Sequence, residues 1–173
     1  LAPHKKMMRV MTHGALVDVT DDHSLLLNNG ATEVSPKDIT VGVTECLHRT
    51  VDSATITNSR FTEYDIPTIM SSTSQIDAAR LCWASNHCGY NTAINVNVNH
   101  QTKGKDDTYT VTSTRTCSSG SPDTVKKIYD LPDYGDEYVY DLTTDNHHFA
   151  AGVGNMIVHN TDSVFFTFNL ETM

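Results

Sequence analysis

The sequence predicts a mostly β fold carrying one small α+β insertion, and three observations predict it. Short β-branched or apolar runs lie between turn residues at both ends of the chain, from Met7 to Leu27 and from Val139 to Val158. One stretch, Ser71 to Gly89, has helical periodicity instead. Directly after it, Ile94, Val96 and Val98 alternate with Asn95, Asn97 and Asn99, the two-residue period of a strand with one wet face.

Taken in order, Met7 to Thr12 and Gly14 to Thr20 read as a hairpin turning at His13-Gly14. Ser24 to Leu27 is a short apolar strand that ends at the turn Asn28-Asn29-Gly30. Ser35-Pro36-Lys37-Asp38 reads as a turn or a single turn of helix. The predicted helix takes Ser72 or Thr73 as its cap, presents Ile76, Ala79 and Trp83 on one face, and stops at Gly89. A polar loop over 100–107 separates the Asn-rich strand from a second one, Tyr109 to Thr114. Segment 118–124, rich in Ser, Gly and Pro, reads as a linker. Val139 to Leu142 and Met156 to Val158 read as strands, with Gly152 and Gly154 permitting a tight reversal.

The 173 residues suffice for one domain with a sizeable core. A formal net charge of −9 argues against a dedicated nucleic-acid binder, which needs a basic face. None of the 4 cysteines, Cys46, Cys82, Cys88 and Cys117, forms a C-x-x-C pair, so they read as reduced structural thiols. His4, His13, His48, His87 and His100 read as surface or capping residues, and no histidine spacing suggests a metal. No cofactor is expected. No apolar run spans a bilayer and no signal-peptide pattern is present, so the expected setting is intracellular, in the cytoplasm of a microbial or virus-infected cell.

The chemistry concentrates at His159-Asn160-Thr161. The Asn160 side-chain amide can attack its own main-chain carbonyl, closing a succinimide and releasing the segment that starts at Thr161. His159 can move the proton, and the Thr161 hydroxyl can accept an acyl group. Upstream lie Val139-Tyr140-Asp141-Leu142, then His147-His148-Phe149, a glycine turn, and Val158-His159-Asn160. This order and spacing over residues 139–160 resembles the C-terminal splicing motifs of inteins (V-Y-D-L, H-x-F, V-H-N). Thr20-Asp21-Asp22-His23 resembles the upstream T-x-x-H motif of the same family. The tail Thr161-Asp162-Ser163 resembles the T-D-S part of the Y-G-D-T-D-S motif of family B DNA polymerases.

The resemblance implies a Hint (hedgehog/intein) fold lacking its N-terminal strands. It divides the chain into 1–65, the first part of a splicing domain; 66–117, an insertion; 118–160, the C-terminal part; and 161–173, a C-extein. The insertion's helix and hairpin resemble a degenerate LAGLIDADG endonuclease remnant. The expected activity is autocatalytic protein splicing that assembles a family B polymerase. The resemblance makes Thr161 the ester-forming nucleophile and Asn160 the cyclising residue. His159 and His147 assist, Asp141 orients groups or takes a proton, and Thr20 and His23 surround the N-terminal junction. Strand alternation would let only one of His147 and His148 face the site, and the motif selects His147.

Leu1 is no nucleophile, and His23 arrives early for a contiguous intein. The expected partner is therefore a separate N-terminal intein fragment with its own Cys or Ser nucleophile and N-extein, covering open strand edges near residues 7–20. A shortened chain is the alternative. A homing endonuclease would need the acidic dodecapeptide helix, which the sequence lacks. An inactive structural β-domain would need none of these residues. A hedgehog-type domain would begin with Cys and need no Asn160.

Overall fold

A computed structural model describes residues 5–48, 66–98, 107–116, 120–131, 142 and 144–159. In chain order the elements are β1 (Met7–Thr12), β2 (Leu16–Thr20), β3 (Leu25–Leu26), β4 (Glu33–Val34), a 3-10 turn at Pro36–Asp38, β5 (Ile69–Ser72), α1 (Gln75–His87), β6 (Asn91–Asn97), β7 (Thr108–Thr114), β8 (Val125–Leu131), β9 (His148–Ala151) and β10 (Met156–His159). The described fold is mostly β, with three small antiparallel sheets ordered β2-β1-β8, β4-β3-β10-β9 and β5-β7-β6, and one α-helix.

The predicted N-terminal hairpin forms, with Met11 opposite Leu16. β8 pairs with the other side of β1 from Met7↔Leu131 to Thr12↔Val125. The open edge expected along residues 7–20 is therefore absent from β1, which is paired on both sides; β2 stands at the end of this sheet. Successive side chains of β1 alternate between two cores. Val10 packs with Ala15, Val17, Val19, Leu25, Cys46, Val125, Met156 and Val158. Met11 packs with Leu16 and Val153 against Ala78, Leu81 and Cys82 of α1 and Ile94, Tyr109 and Val111. The helix and hairpin read as an insertion thus share a core with the terminal segments. Backbone contact reinforces this, because the Ile94 N–H donates to the His13 carbonyl at 3.0 Å.

The helix begins later than the sequence suggests. Ser71 and Ser72 are drawn into β5, opposite Thr110 and Tyr109. Ser74 is the cap, its hydroxyl accepting from Asp77 N–H at 3.2 Å. Cys88 closes the helix, followed by Gly89. The buried face also differs from the expected Ile76, Ala79 and Trp83. Ala78, Leu81, Cys82 and Ser85 are buried at i, i+3, i+4 and i+7, while Ile76 is 65% exposed. Small residues let the helix lie close to β7, where the Ser85 and Ser113 hydroxyls pair at 2.8 Å in the interior. Trp83 stacks on His87 with ring centroids 5.5 Å apart.

Segment 120–124 is docked rather than a free linker. Pro122 O accepts from Gly14 N–H and Asp123 O from Cys46 N–H, each at 3.0 Å. His48, expected at the surface, is 9% exposed and pairs through Nδ1 with the Asp123 carboxylate. The physical reason is that 44–48 runs as an extended connector, bridging Leu27↔Cys46, Glu45↔Thr124 and His48↔Met156.

One buried cation ties the first sheet to the third. Arg9, 1% exposed, donates from Nε and Nη2 to Asp18, each at 2.7 Å, from Nη1 to Asp107, and from Nη2 to the Tyr109 hydroxyl at 3.0 Å. Burial alone would lower the guanidinium pKa. The hydrogen bond and charge of Asp18, with Asp107, overcome that and hold it above its ordinary value. Removing one carboxylate from such a cluster leaves a buried charge short of partners. Asp107→Ala is expected to cost about 3 kcal/mol, read as a lowered urea midpoint at unchanged slope.

Burial pushes the Cys46 and Cys82 thiols up to about 12, while Cys88 is half-buried. At pH 8 such buried thiols stay protonated and are poor nucleophiles. Iodoacetamide is expected to label Cys88 well before Cys46 and Cys82, which should react only on unfolding, as peptide mass mapping will read.

Candidate functional site

The site is organised by the terminal hairpin. β9 and β10 pair from Met156↔Ala151 to His159↔His148, through the reversal that Gly152 and Gly154 were expected to permit. Both glycines have positive φ, 70° and 80°. They also approach the first hairpin so closely that a Cβ would collide with the Leu16 carbonyl oxygen at Gly152 and with the Gly14 carbonyl oxygen at Gly154. Between them, Val153 exchanges two backbone hydrogen bonds with Leu16, at 2.7 and 2.8 Å.

This contact anchors one end of β10. At the other end Val158 pairs with Leu25, and the His159 N–H donates to the Ser24 carbonyl at 2.9 Å. The segment after β2 is therefore hydrogen-bonded to the strand that carries His159. His23 lies next to Ser24, and its N–H closes a turn onto the Thr20 carbonyl at 3.0 Å. The Thr20 hydroxyl donates to Asp22 at 2.8 Å. Asp22 is paired with Lys5 at 2.9 Å, and the Lys5 hydrogen bond holds its carboxyl below the usual range.

Three imidazoles gather at the end of the hairpin. The His147 and His159 rings lie 6.0 Å apart, nearly parallel, and the His148 and His159 rings 5.0 Å apart, edge to face. Simple alternation would have excluded one of His147 and His148. It fails because His147 precedes the strand and takes φ 57°, a left-handed conformation set by the turn in which its N–H donates to Thr144 O at 3.1 Å. Asp141, Asn160 and Thr161 lie outside the described residues, as does most of the expected strand Val139 to Leu142.

Sequence reasoning missed Glu33. Its Oε1 lies 3.6 Å from His148 Nε2 and 3.5 Å from His159 Nε2. The three ligand-type atoms all fall within 4.8 Å of one another. No spacing could have revealed this group, because it is assembled from three strands, one of them the two-residue β4.

A cleft of about 430 Å³ borders the group, lined by Leu26, His48, Asn146, His148, Phe149 and Ile157 among others. Among the described residues no helix is long and apolar enough to cross a membrane.

Comparison with known proteins gives a relation to part of a DNA polymerase. A DNA polymerase of Acanthamoeba polyphaga mimivirus is 36% identical over 101 residues, 56% of this chain. The aligned stretch spans only 6% of that polymerase. No family model and no solved structure matches.

The hairpin contact generates its own test. Gly154→Ala adds both an unfavourable φ and a backbone collision, and is expected to cost about 3 kcal/mol or more, measured by urea unfolding.

Proposed function

We propose that this chain carries an intein-type splicing module of Hint fold, interrupting a family B DNA polymerase before its T-D-S residues, Thr161-Asp162-Ser163. The observation that carries the reading is the hydrogen bond from His159 N–H to Ser24 O, beside the His147 and His159 ring pair. It joins the T-x-x-H segment to the V-H-N strand, two motifs more than a hundred residues apart in the chain. The polymerase relative supports it too, since the similarity occupies a small fraction of that long chain.

On this reading an upstream nucleophile, Cys or Ser, takes the N-extein acyl group from its own amide nitrogen. The N-terminal intein segment that carries it is the partner, supplied as a separate polypeptide in the split form. Thr20 and His23 attend that peptide bond. The Thr161 hydroxyl attacks the resulting ester or thioester and loses its proton, taking the acyl group onto its own oxygen as the bond to the upstream nucleophile breaks and that hydroxyl or thiol leaves reprotonated. Asp141 orients this step or takes the proton.

The Asn160 side-chain nitrogen then attacks the Asn160 main-chain carbonyl carbon. The bond to Thr161 nitrogen breaks, a succinimide remains, and His159 delivers a proton to the departing amine, with His147 beside it. That amine finally attacks the ester on the Thr161 oxygen and forms the new peptide bond. Holding the amide against its carbonyl supplies several kcal/mol of the barrier reduction, since effective molarities for such geometry are large.

The chain itself permits the first test. Incubation is expected to release residues 161–173, seen as a mass loss. Asn160→Ala should abolish that release, and His147→Ala should slow it about a hundredfold. With an N-terminal segment bearing the nucleophile, Thr161→Ala should eliminate ligated product. Undiminished ligation in the Asn160→Ala or Thr161→Ala chain would sink the scheme.

A further inference from the structure

The His159 ring has two nitrogens, and the fold addresses one of them. Its Nε2 lies 3.5 Å from Glu33 Oε1 on β4, a strand separated from β10 by β3. A carboxylate oxygen only accepts, so the nitrogen that faces it carries the proton, and in the neutral ring Nδ1 is then the bare one. A carboxylate that fixes the tautomer of a general base in this way also stabilises the imidazolium formed when that base takes a proton.

A second observation concerns His148, on the other side of the same carboxylate. His148 Nδ1 lies 2.7 Å from the Asn146 carbonyl oxygen. That oxygen also only accepts, so Nδ1 carries the proton and Nε2 of the neutral ring is a bare lone pair. This Nε2 is buried, has no hydrogen bond, and lies 3.6 Å from Glu33 Oε1, another acceptor. With both rings neutral the cluster is thus one proton short, and one added proton completes it. Cyclisation of Asn160 releases such a proton, because its side-chain nitrogen loses one on bonding to the carbonyl carbon. The His147 ring lies face to face with His159 at 6.0 Å, so Glu33 is the carboxylate in this group of three imidazoles.

We propose that Glu33 is a positioning residue for the Asn160 step, an inference that rests on the splicing reading above. It holds His159 with Nε2 protonated and Nδ1 open. Nδ1 takes the proton that the Asn160 side-chain nitrogen loses, and the Glu33 charge steadies the resulting imidazolium. The proton then goes to the Thr161 nitrogen as the bond between Asn160 and Thr161 breaks, so the cluster ends with the protons it began with. His148 Nε2 gives the carboxylate a second place to put a proton, which spreads the transient charge over two rings. Stabilisation present only while that charge exists speeds the step without tightening the resting state.

The test has two arms, both on the full chain. In the Asn160→Ala chain, which stays intact, nitrogen NMR of isotope-labelled histidine at alkaline pH is expected to place the His159 proton on Nε2. Adding Glu33→Ala should divide it between the two nitrogens. In the parent chain, Glu33→Gln and Glu33→Ala should each slow release of residues 161–173 about tenfold or more, with the urea midpoint little changed. The Glu33 side chain is 36% exposed, so acetate can reach the space left by Glu33→Ala and should restore much of the rate there. It should not do so for Glu33→Gln, whose amide fills the space. A His159 tautomer indifferent to Glu33→Ala, or release as fast without the carboxylate, would overturn the proposal. Absence of release from the parent chain would remove the splicing reading and this role with it. The NMR arm needs no cleavage, so it tells that failure apart from a failure of Glu33 to hold His159.

Discussion

The reciprocal backbone bonds between Leu16 and Val153 are the constraint on which the rest of the arrangement depends. They join the turns of two hairpins that lie at opposite ends of the described chain. Without them the β9–β10 hairpin would keep its backbone bonds through β10, to Ser24 and Leu25 on one side and to Leu47 and His48 of the connector, none of which lies in the first sheet's hairpin. Such a close approach of two backbones requires residues with no Cβ on either side of Val153, and both are glycine. Val153 itself fills a hole in the second core and is fully buried. Backbone pairing and side-chain packing thus act at one residue.

From that point the architecture follows with few choices. β1 cannot be an edge, because its two faces feed two cores and both its sides are paired. Arg9 crosses from this sheet to Asp107 and Tyr109, so the helix-bearing unit is held by charge as well as by apolar contact. A buried cation with two carboxylates is specific about geometry even where its net contribution to stability is modest. The two cores are therefore joined through β1, and the β9–β10 hairpin enters both, Met156 and Val158 in one and Val153 in the other.

Local pattern reached the strands well because their period is short and their turns are chemically marked. The hairpin at His13-Gly14, the alternation through Asn97 and the Gly152–Gly154 reversal were all legible. The helix face was not, because Ile76 and Trp83 are its larger apolar residues, whereas closeness to β7 selects the small Ala78, Cys82 and Ser85. His48 and Glu33 escaped for a different reason. Their partners, Asp123 and the two histidines, are fixed by tertiary crossings that no local window contains. The motif residues His147 and His159 were named from order and spacing, and their rings lie 6.0 Å apart. The involvement of His148 could not be, because it depends on a single left-handed residue before the strand.

That residue has a further consequence. A φ of 57° at His147 favours glycine or asparagine, and an imidazole there carries a conformational penalty of about 1 kcal/mol. Selection for thermal robustness alone would drift this position toward Asn or Gly. On the splicing reading proposed above, the reactivity of the ring is what would offset this cost, and a variant with Asn there would show how much durability the molecule gives up for it.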